Sequence, residues 1–336
     1  MVVMETPTPG LFDPEEYQPN RIDDAFHGLS SPYAHELWYF SAVFDNGYSM
    51  VNRWRMGAVM SETGREDVEF RAVGLVVYDP DGKETSTEAQ FPDSEVFASI
   101  ETCDVRMGDN HLHGEFPRWE MHFRIGDVGG DFVFENLTQG FRQPPDGVGA
   151  SGAGWVIAQP RARVSGKLIL DGEEIPVSGE GYHDHVWGVS TPEEGLGMLD
   201  HWNWGRLFLP DHTFIFNVAQ LTEKLGSLSG GVLIAFKGEE LFQATMGIVA
   251  EPSDFELDEV SGLEYPRKLV LKIDDPMING EVILTVRRLL DSLAPEGTEG
   301  YYFYFQSDCE VRLDVDGEKV ELDVQGQMHE LMKPWE

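Results

Sequence analysis

Along most of the chain, apolar and polar residues alternate with a period of two, the pattern of half-buried β-strands. The run from Val68 to Asp79 reads as a strand ending in an Asp-Pro-Asp-Gly turn. Trp119 to Ile125 and Asp131 to Leu137 read as two more, joined across Gly129-Gly130. Arg161 to Leu168 alternates and breaks at Asp171-Gly172. Val311, Leu313 and Val315 alternate, break at Asp316-Gly317, and resume through Val320, Leu322 and Val324. Asp-Gly between alternating runs signals a hairpin, because both turn residues must accept positive φ. Helical periodicity is scarce, and Val286 to Leu293 is the best helix candidate. With 36 Gly and 19 Pro to supply turns, the predicted class is all-β, mostly antiparallel, of the sandwich or barrel kind.

The two Asp-Gly hairpins resemble each other at an offset of 145 residues, which also places Gly181 on Gly326 and His185 on Glu330. Two unrelated hairpins would look similar, but the offset is a natural domain size. The reading is an extension over 1–28, one β-domain over 29–195 and a second over 199–336, with the boundary between Pro192 and Leu199. All the tryptophans but Trp335 lie between Trp38 and Trp204. A site therefore belongs to the first half and its junction with the second.

Charge changes the picture next. Against 24 Lys+Arg stand 60 Asp+Glu, a net charge of −36 over 336 residues. That excludes a nucleic-acid backbone and an anionic membrane surface as partners. An apolar content of 41% is enough for a core, so global disorder is excluded too. Lysine supplies only 8 of the basic residues and arginine 16, and few lysines among many carboxylates fit a cytoplasm rich in salt, where screening shortens self-repulsion. The 2 cysteines, Cys103 and Cys309, form neither a disulfide framework nor a CxxC pair, which points to a reducing compartment. The N-terminus has no basic segment followed by an apolar one, and no apolar run spans a bilayer. Together these predict a cytoplasmic protein of a high-salt organism. Nothing in the sequence sets an oligomeric state.

The densest polar cluster is Tyr182-His183-Asp184-His185, bracketed by Gly181 and Gly188. If it is extended, Tyr182 and Asp184 share one face and His183 and His185 the other, each pair about 7 Å apart. Such residues can simply cap turns. Alternatively, a carboxyl walled by Trp155, Trp187, Trp202 and Trp204 has a raised pKa and serves as a general acid. A metal site using His183, Asp184 and His185 with His111, His113, His122 or His201 competes, but adjacent strand residues point apart and no HExxH is present. No metal is assigned. His35-Glu36-Leu37-Trp38-Tyr39-Phe40 is either a core strand or a cavity wall with Glu36 as a second acid or base. Trp202-Asn203-Trp204-Gly205-Arg206 places aromatics where they can cover the mouth of the first barrel, and Arg206 pairs with a buried carboxylate or lies at the surface. Dinucleotide, phosphate-loop and nucleophile-elbow signatures are all missing from the chain.

The stretch from Pro160 through Tyr182-His-Asp-His-Val-Trp-Gly188 resembles the central motif of the AttH/carotenoid 1,2-hydratase family. His35 to Phe40 is similar to that family's N-terminal His-Glu-Trp-Trp-Tyr pattern, and Gly326 to Glu330 to its C-terminal one. Val186 stands where the family commonly has Asn, and Gly154 to Ile157 lacks the His of the carotenoid branch. The resemblance implies two tandem lipocalin-like domains, an apolar isoprenoid, polyene or prenylated substrate, and no cofactor. It places acid chemistry on Tyr182 and Asp184. Hydration or isomerisation of a C=C bond would use Asp184 as acid. His183 or His185 would orient it, and Trp38, Tyr39, Trp155, Trp187, Trp202 and Trp204 would line the ligand. The family also contains kievitone hydratase and fungal lipocalin-like Diels-Alderases, so cyclisation is an alternative, as is carriage of an unchanged ligand.

Overall fold

Two antiparallel sheets account for nearly all of the regular structure in the computed structural model, which describes residues 12–29, 31, 34–58, 69–143, 154–189, 199–293 and 300–334. The first sheet has 12 strands. Its spatial order runs Glu84–Gln90, Glu69–Tyr78, Ser49–Ala58, Ala34–Phe44, Glu173–Val189, Gly154–Leu170, Val128–Asn136, Arg118–Ile125, Asn110–Glu115, Cys103–Met107 and Val96–Ala98, with Phe141–Arg142 off this path. The second has nine: Glu240–Thr245, Ser229–Lys237, His212–Leu221, Leu199–Phe208, Glu318–Pro334, Gly300–Val315, Ile278–Leu293, Glu264–Asp274 and Ile248–Leu257. Both follow one plan. A four-strand meander comes first, and its opening strand pairs with the last strand of the same sheet, which curls the sheet around its own core. The stretch from Pro192 to Gly197, where the sequence places the boundary, lies outside the described residues.

Both Asp-Gly bends form as expected. Asp171 and Gly172 have φ of 52° and 81°, and Asp316 and Gly317 have 53° and 79°, the double positive φ of a turn whose twist matches the flanking strands. Two expectations fail. Gly129 and Gly130 are not a turn but lie inside the strand Val128–Asn136. A Cβ on Gly129 would stand 2.2 Å from the Phe123 carbonyl oxygen, and one on Gly130 2.3 Å from the Phe132 ring, so close packing and not a bend requires them. Val286 to Leu293 is not a helix but the end of the strand Ile278–Leu293. Register shifts at Val286/Arg288 and Leu289/Asp291 break its two-residue alternation, which is why it imitates a helical period.

Alternation sorts each strand between two environments. Trp38, Phe40, Ala42 and Phe44 point into the first sheet with Trp54, Trp119, Phe123 and Phe134. Phe214, Phe216, Leu271, Leu284 and Val311 fill the second. Both interiors are packed hydrocarbon and aromatic side chains. The intervening residues of the first sheet, Tyr39 and Tyr182 among them, meet Trp204, Ile234, Phe236, Tyr304 and Met328 of the second in a third cluster between the sheets. The run Gly181 to His185 is therefore buried on both faces, as expected of a strand covered on each side. Polar ties cross the same junction: Arg161 donates to the Leu209 carbonyl at 2.7 Å, and the Leu241 amide donates to Gln139 Oε1 at 3.0 Å. Among the described residues no helix is long and apolar enough to cross a membrane.

Candidate active site between the two sheets

Ala34–Phe44 and Glu173–Val189 pair in register with Tyr39 opposite Asp184 and Ser41 opposite Tyr182. The extended backbone puts Tyr182 and Asp184 on the face toward the second sheet. The Tyr182 hydroxyl donates to Asp184 Oδ2 at 2.7 Å, and Trp155 Nε1 donates to the same oxygen at 2.8 Å. Burial pushes the Asp184 carboxyl up to about 6, although these two donors work against the rise. Trp204 covers the pair, its ring 5.1 Å from that of Tyr182 and 5.5 Å from that of Tyr39.

A second tyrosine–carboxyl pair faces the first. Tyr39 donates its hydroxyl to Glu330 Oε1 at 2.5 Å, and burial raises Glu330 to about 7. Glu330 comes from the last strand of the second sheet, opposite Trp204 in the ladder. The Arg53 guanidinium lies 5.4 Å over the Tyr304 ring, and Arg206 is 2% exposed. Arg206 is thus buried, not at the surface. Its Nη2 donates to Met328 Sδ at 3.8 Å, and it makes no ion pair with a carboxylate among the described residues, although Glu330 lies within its field. The site holds two carboxyls that burial raises toward neutrality, several phenols, indoles, and two cations.

His183, His185 and Glu36 are not part of it. They point the opposite way, into the first sheet. His183 Nδ1 lies 3.0 Å from the Tyr39 carbonyl oxygen and so carries a proton, and its Nε2 is 3.1 Å from Asp24 Oδ2. His185 Nε2 is 3.2 Å from Glu36 Oε2. Glu36 also accepts the His27 and Gly28 amides at 3.0 and 2.8 Å. Burial alone would raise Glu36, but His185 and His27 overrule it and hold it at about 2. Asp24 is likewise held down despite burial, mainly by His183. Trp38 stacks on His185 at 4.2 Å, Trp187 stacks on His27 at 3.6 Å, and Trp119 donates to Asp24 at 2.8 Å. This network fastens the segment before the first strand into the sheet.

The structure thus brings together Asp184, Tyr182, Tyr39, Trp155 and Trp204. It separates them from His183, His185, Glu36, Trp38 and Trp187 by the thickness of a strand. Neither histidine can therefore orient Asp184 by direct contact. Trp202 packs edge-on against Tyr302 at 6.0 Å, at the margin of the cluster. Trp202 and Trp204 do not close a barrel mouth, because both sit where the second sheet packs on the first. A partly buried group, His27/Glu36/His185, and a buried one, Asp24/Cys103/His183, place possible ligand atoms within 4.8 Å of one another, as does the more exposed group Asp104/His111/His113. Asp184 is in none of them. His122 pairs with Asp131 at 2.6 Å, and His201 with Asp200 at 2.7 Å, both away from Asp184.

Sequence reasoning missed Glu330, Arg53, Tyr304 and Asp24. Glu330 carried a signal, the lone carboxylate of Met328 to Met332 at the end of the C-terminal pattern. Asp24 carried none, since Ile22-Asp-Asp-Ala looks like any surface segment.

No family model matches the chain. Over 222 residues it is 27% identical to the hydroxyneurosporene dehydrogenase of Chlorobaculum tepidum, covering 56% of this chain and 57% of that protein. The chain therefore spans little more than half the length of the curated relative it matches. Three solved structures share the fold over nearly the whole chain. An AttH protein of Nitrosomonas europaea superposes with a TM-score of 0.66 at 15% identity, covering 98% of this chain and 99% of that one. CghA superposes with 0.64 at 11%, covering 90% and 89%. Kievitone hydratase of Nectria haematococca superposes with 0.59 at 13%, covering 95% and 98%. The molecule shares the lipocalin-like fold of these structures, two curled antiparallel sheets packed on each other. Its resemblance to the AttH/carotenoid 1,2-hydratase family rests on the Tyr182-to-Gly188 motif together with this architecture.

Proposed function

We propose that the protein is an acid–base enzyme that adds water to, or moves, a C=C bond of an apolar isoprenoid or prenylated molecule, without a cofactor. The observation that carries this reading is the buried Asp184 carboxyl, pushed up to about 6 by burial and held by Tyr182 and Trp155 in an aromatic surround. Protonating an alkene carbon demands a neutral acid shielded from water. Asp184 gives its proton to one alkene carbon and becomes a carboxylate. The neighbouring carbon becomes a tertiary cation. The faces of Trp204, Tyr182 and Tyr39 stabilise that cation by about 0.5–2 kcal/mol each without attacking it. Water then adds, and its surplus proton passes to Glu330, whose carboxylate form is the base on the other side of the cluster. Loss of a carbon-bound proton in place of water addition gives the isomer.

Two names among the similar proteins support parts of this reading: one is a hydratase, kievitone hydratase, and another is named for hydroxyneurosporene as its substrate, although as a dehydrogenase. The test is incubation with neurosporene and with prenylated phenols in H2(18)O, followed by mass spectrometry. Wild type incorporates one labelled oxygen for each double bond that it hydrates, and an isomerised product carries none. Asp184→Asn loses the activity by about 10²-fold or more, the usual weight of a general acid. Full activity in Asp184→Asn refutes the assignment. A cyclised product of unchanged mass, formed equally by both proteins, points to a cyclase that works by shape, and a ligand recovered unchanged points to a carrier.

A further inference from the structure

The two arginines of this site have donors that nothing in the protein uses. Arg206 is 2% exposed, yet its Nη1 has no hydrogen-bond partner, and its Nη2 has only the Met328 sulfur at 3.8 Å. Arg53 also has an Nη2 without a partner, and its guanidinium lies over the Tyr304 ring. Among the described residues neither makes an ion pair with a carboxylate. A buried guanidinium donor without an acceptor is expensive, and native proteins normally pair it. Glu330 lies in the field of both guanidiniums, but it is hydrogen-bonded to the Tyr39 hydroxyl and makes no ion pair with either, so these donors stay unused. Arg53 also forms part of the lining of a groove of about 370 Å³, with Ser86, Thr87, Glu84 and Asp291 beside it.

We infer that Arg53 and Arg206 form a subsite for one anionic oxygen group, a carboxylate or an enolate, carried by the otherwise apolar ligand. This rests on the ligand class proposed above and narrows it. The anionic end is held by the guanidinium forks through charge-assisted hydrogen bonds, while the hydrocarbon lies against Trp204, Tyr39 and Tyr182. A single negative charge suits the site. A phosphate would bring a second negative charge into the field of Glu330, which both arginines already feel. The overall charge of −36 repels any anion at long range, so discrimination is to be read in about 1 M salt, where the Debye length is about 3 Å.

The test uses the full chain and three probes of one skeleton: farnesoic acid, farnesol and farnesyl phosphate, followed by tryptophan fluorescence. The acid is expected to bind about 10-fold tighter than the alcohol or more, the weight of one charge-assisted hydrogen bond. Arg53→Gln and Arg206→Gln should each remove most of that preference and leave farnesol binding within about twofold, as expected when only the charged contact is lost. If Arg206→Gln fails to fold, the half-buried Arg53→Gln carries the same comparison alone, and Arg206→Lys, which keeps the charge, should retain most of the preference. Equal binding of acid and alcohol by the wild type overturns the subsite alone. So does tightest binding of the phosphate, or a preference that survives both substitutions. Binding of none of the three overturns the subsite together with the ligand class on which it rests.

Discussion

Replacing Asp184 by Asn keeps the side chain's shape and an oxygen that can accept from Tyr182 and Trp155, and removes only the titrating proton. In the native protein this carboxyl titrates at about 6, against an ordinary value of 3.8. The native state thus holds the proton more tightly than the unfolded chain does, and wild-type stability falls as pH rises from about 4 through about 6. The full difference is about 3 kcal/mol, of which roughly half develops between about pH 5 and about pH 8. Asn pays no such cost. The stability of Asp184→Asn minus that of wild type should therefore grow by about 1.5 kcal/mol across that window. Urea unfolding of both proteins at several pH values and one fixed high salt concentration measures it. Taking the difference cancels Asp291 and the surface carboxylates, and repeating it in a Glu330→Gln background removes a carboxyl coupled to Asp184. Parallel stability curves, or a difference that shrinks with pH, would show that Asp184 is not held neutral by burial and would remove the basis for its role as an acid.

Trp155→Phe deletes a donor to the Asp184 carboxylate and should raise its pKa further, by about one unit. The same pH difference measured in the Trp155→Phe background reads this, and an unchanged or lowered midpoint contradicts it. Asp24→Asn leaves His183 without its carboxylate and should cost about 3 kcal/mol while loosening the segment before the first strand. Urea unfolding and proteolysis around residues 12–28 check it, and a loss under about 0.5 kcal/mol would mean the network contributes little. The surplus of carboxylates predicts that melting temperature rises with NaCl as repulsion is screened; a melting temperature indifferent to salt from about 0.1 to about 2 M would refute that.

The strand pattern was legible because alternation is a local property. A residue on one side of a pleat meets the core whichever strand lies next to it. The Asp-Gly bends were legible for the same reason, since positive φ is a demand made on two residues alone. Bulges were not. They conceal the period in Val286 to Leu293, and only the partner strand reveals the slip. The Tyr182–Asp184 face could be paired from strand geometry, and so could its opposition to His183 and His185. What faced each side could not. Both directions look alike in sequence, because the second sheet makes the outer face as buried as the inner one. That single packing event turns Tyr39 toward Glu330, buries Arg206 and closes Trp204 over Asp184. It also leaves Glu36 and the two histidines in a structural network with Asp24. Long-range contact decides these placements, and neither the spacing nor the types of the residues along the chain encode which distant segment arrives. The sequence by itself determined the strands, their bends, the acidic surface and the residues capable of acid chemistry. The packing of one sheet against the other decided which of those residues share a site.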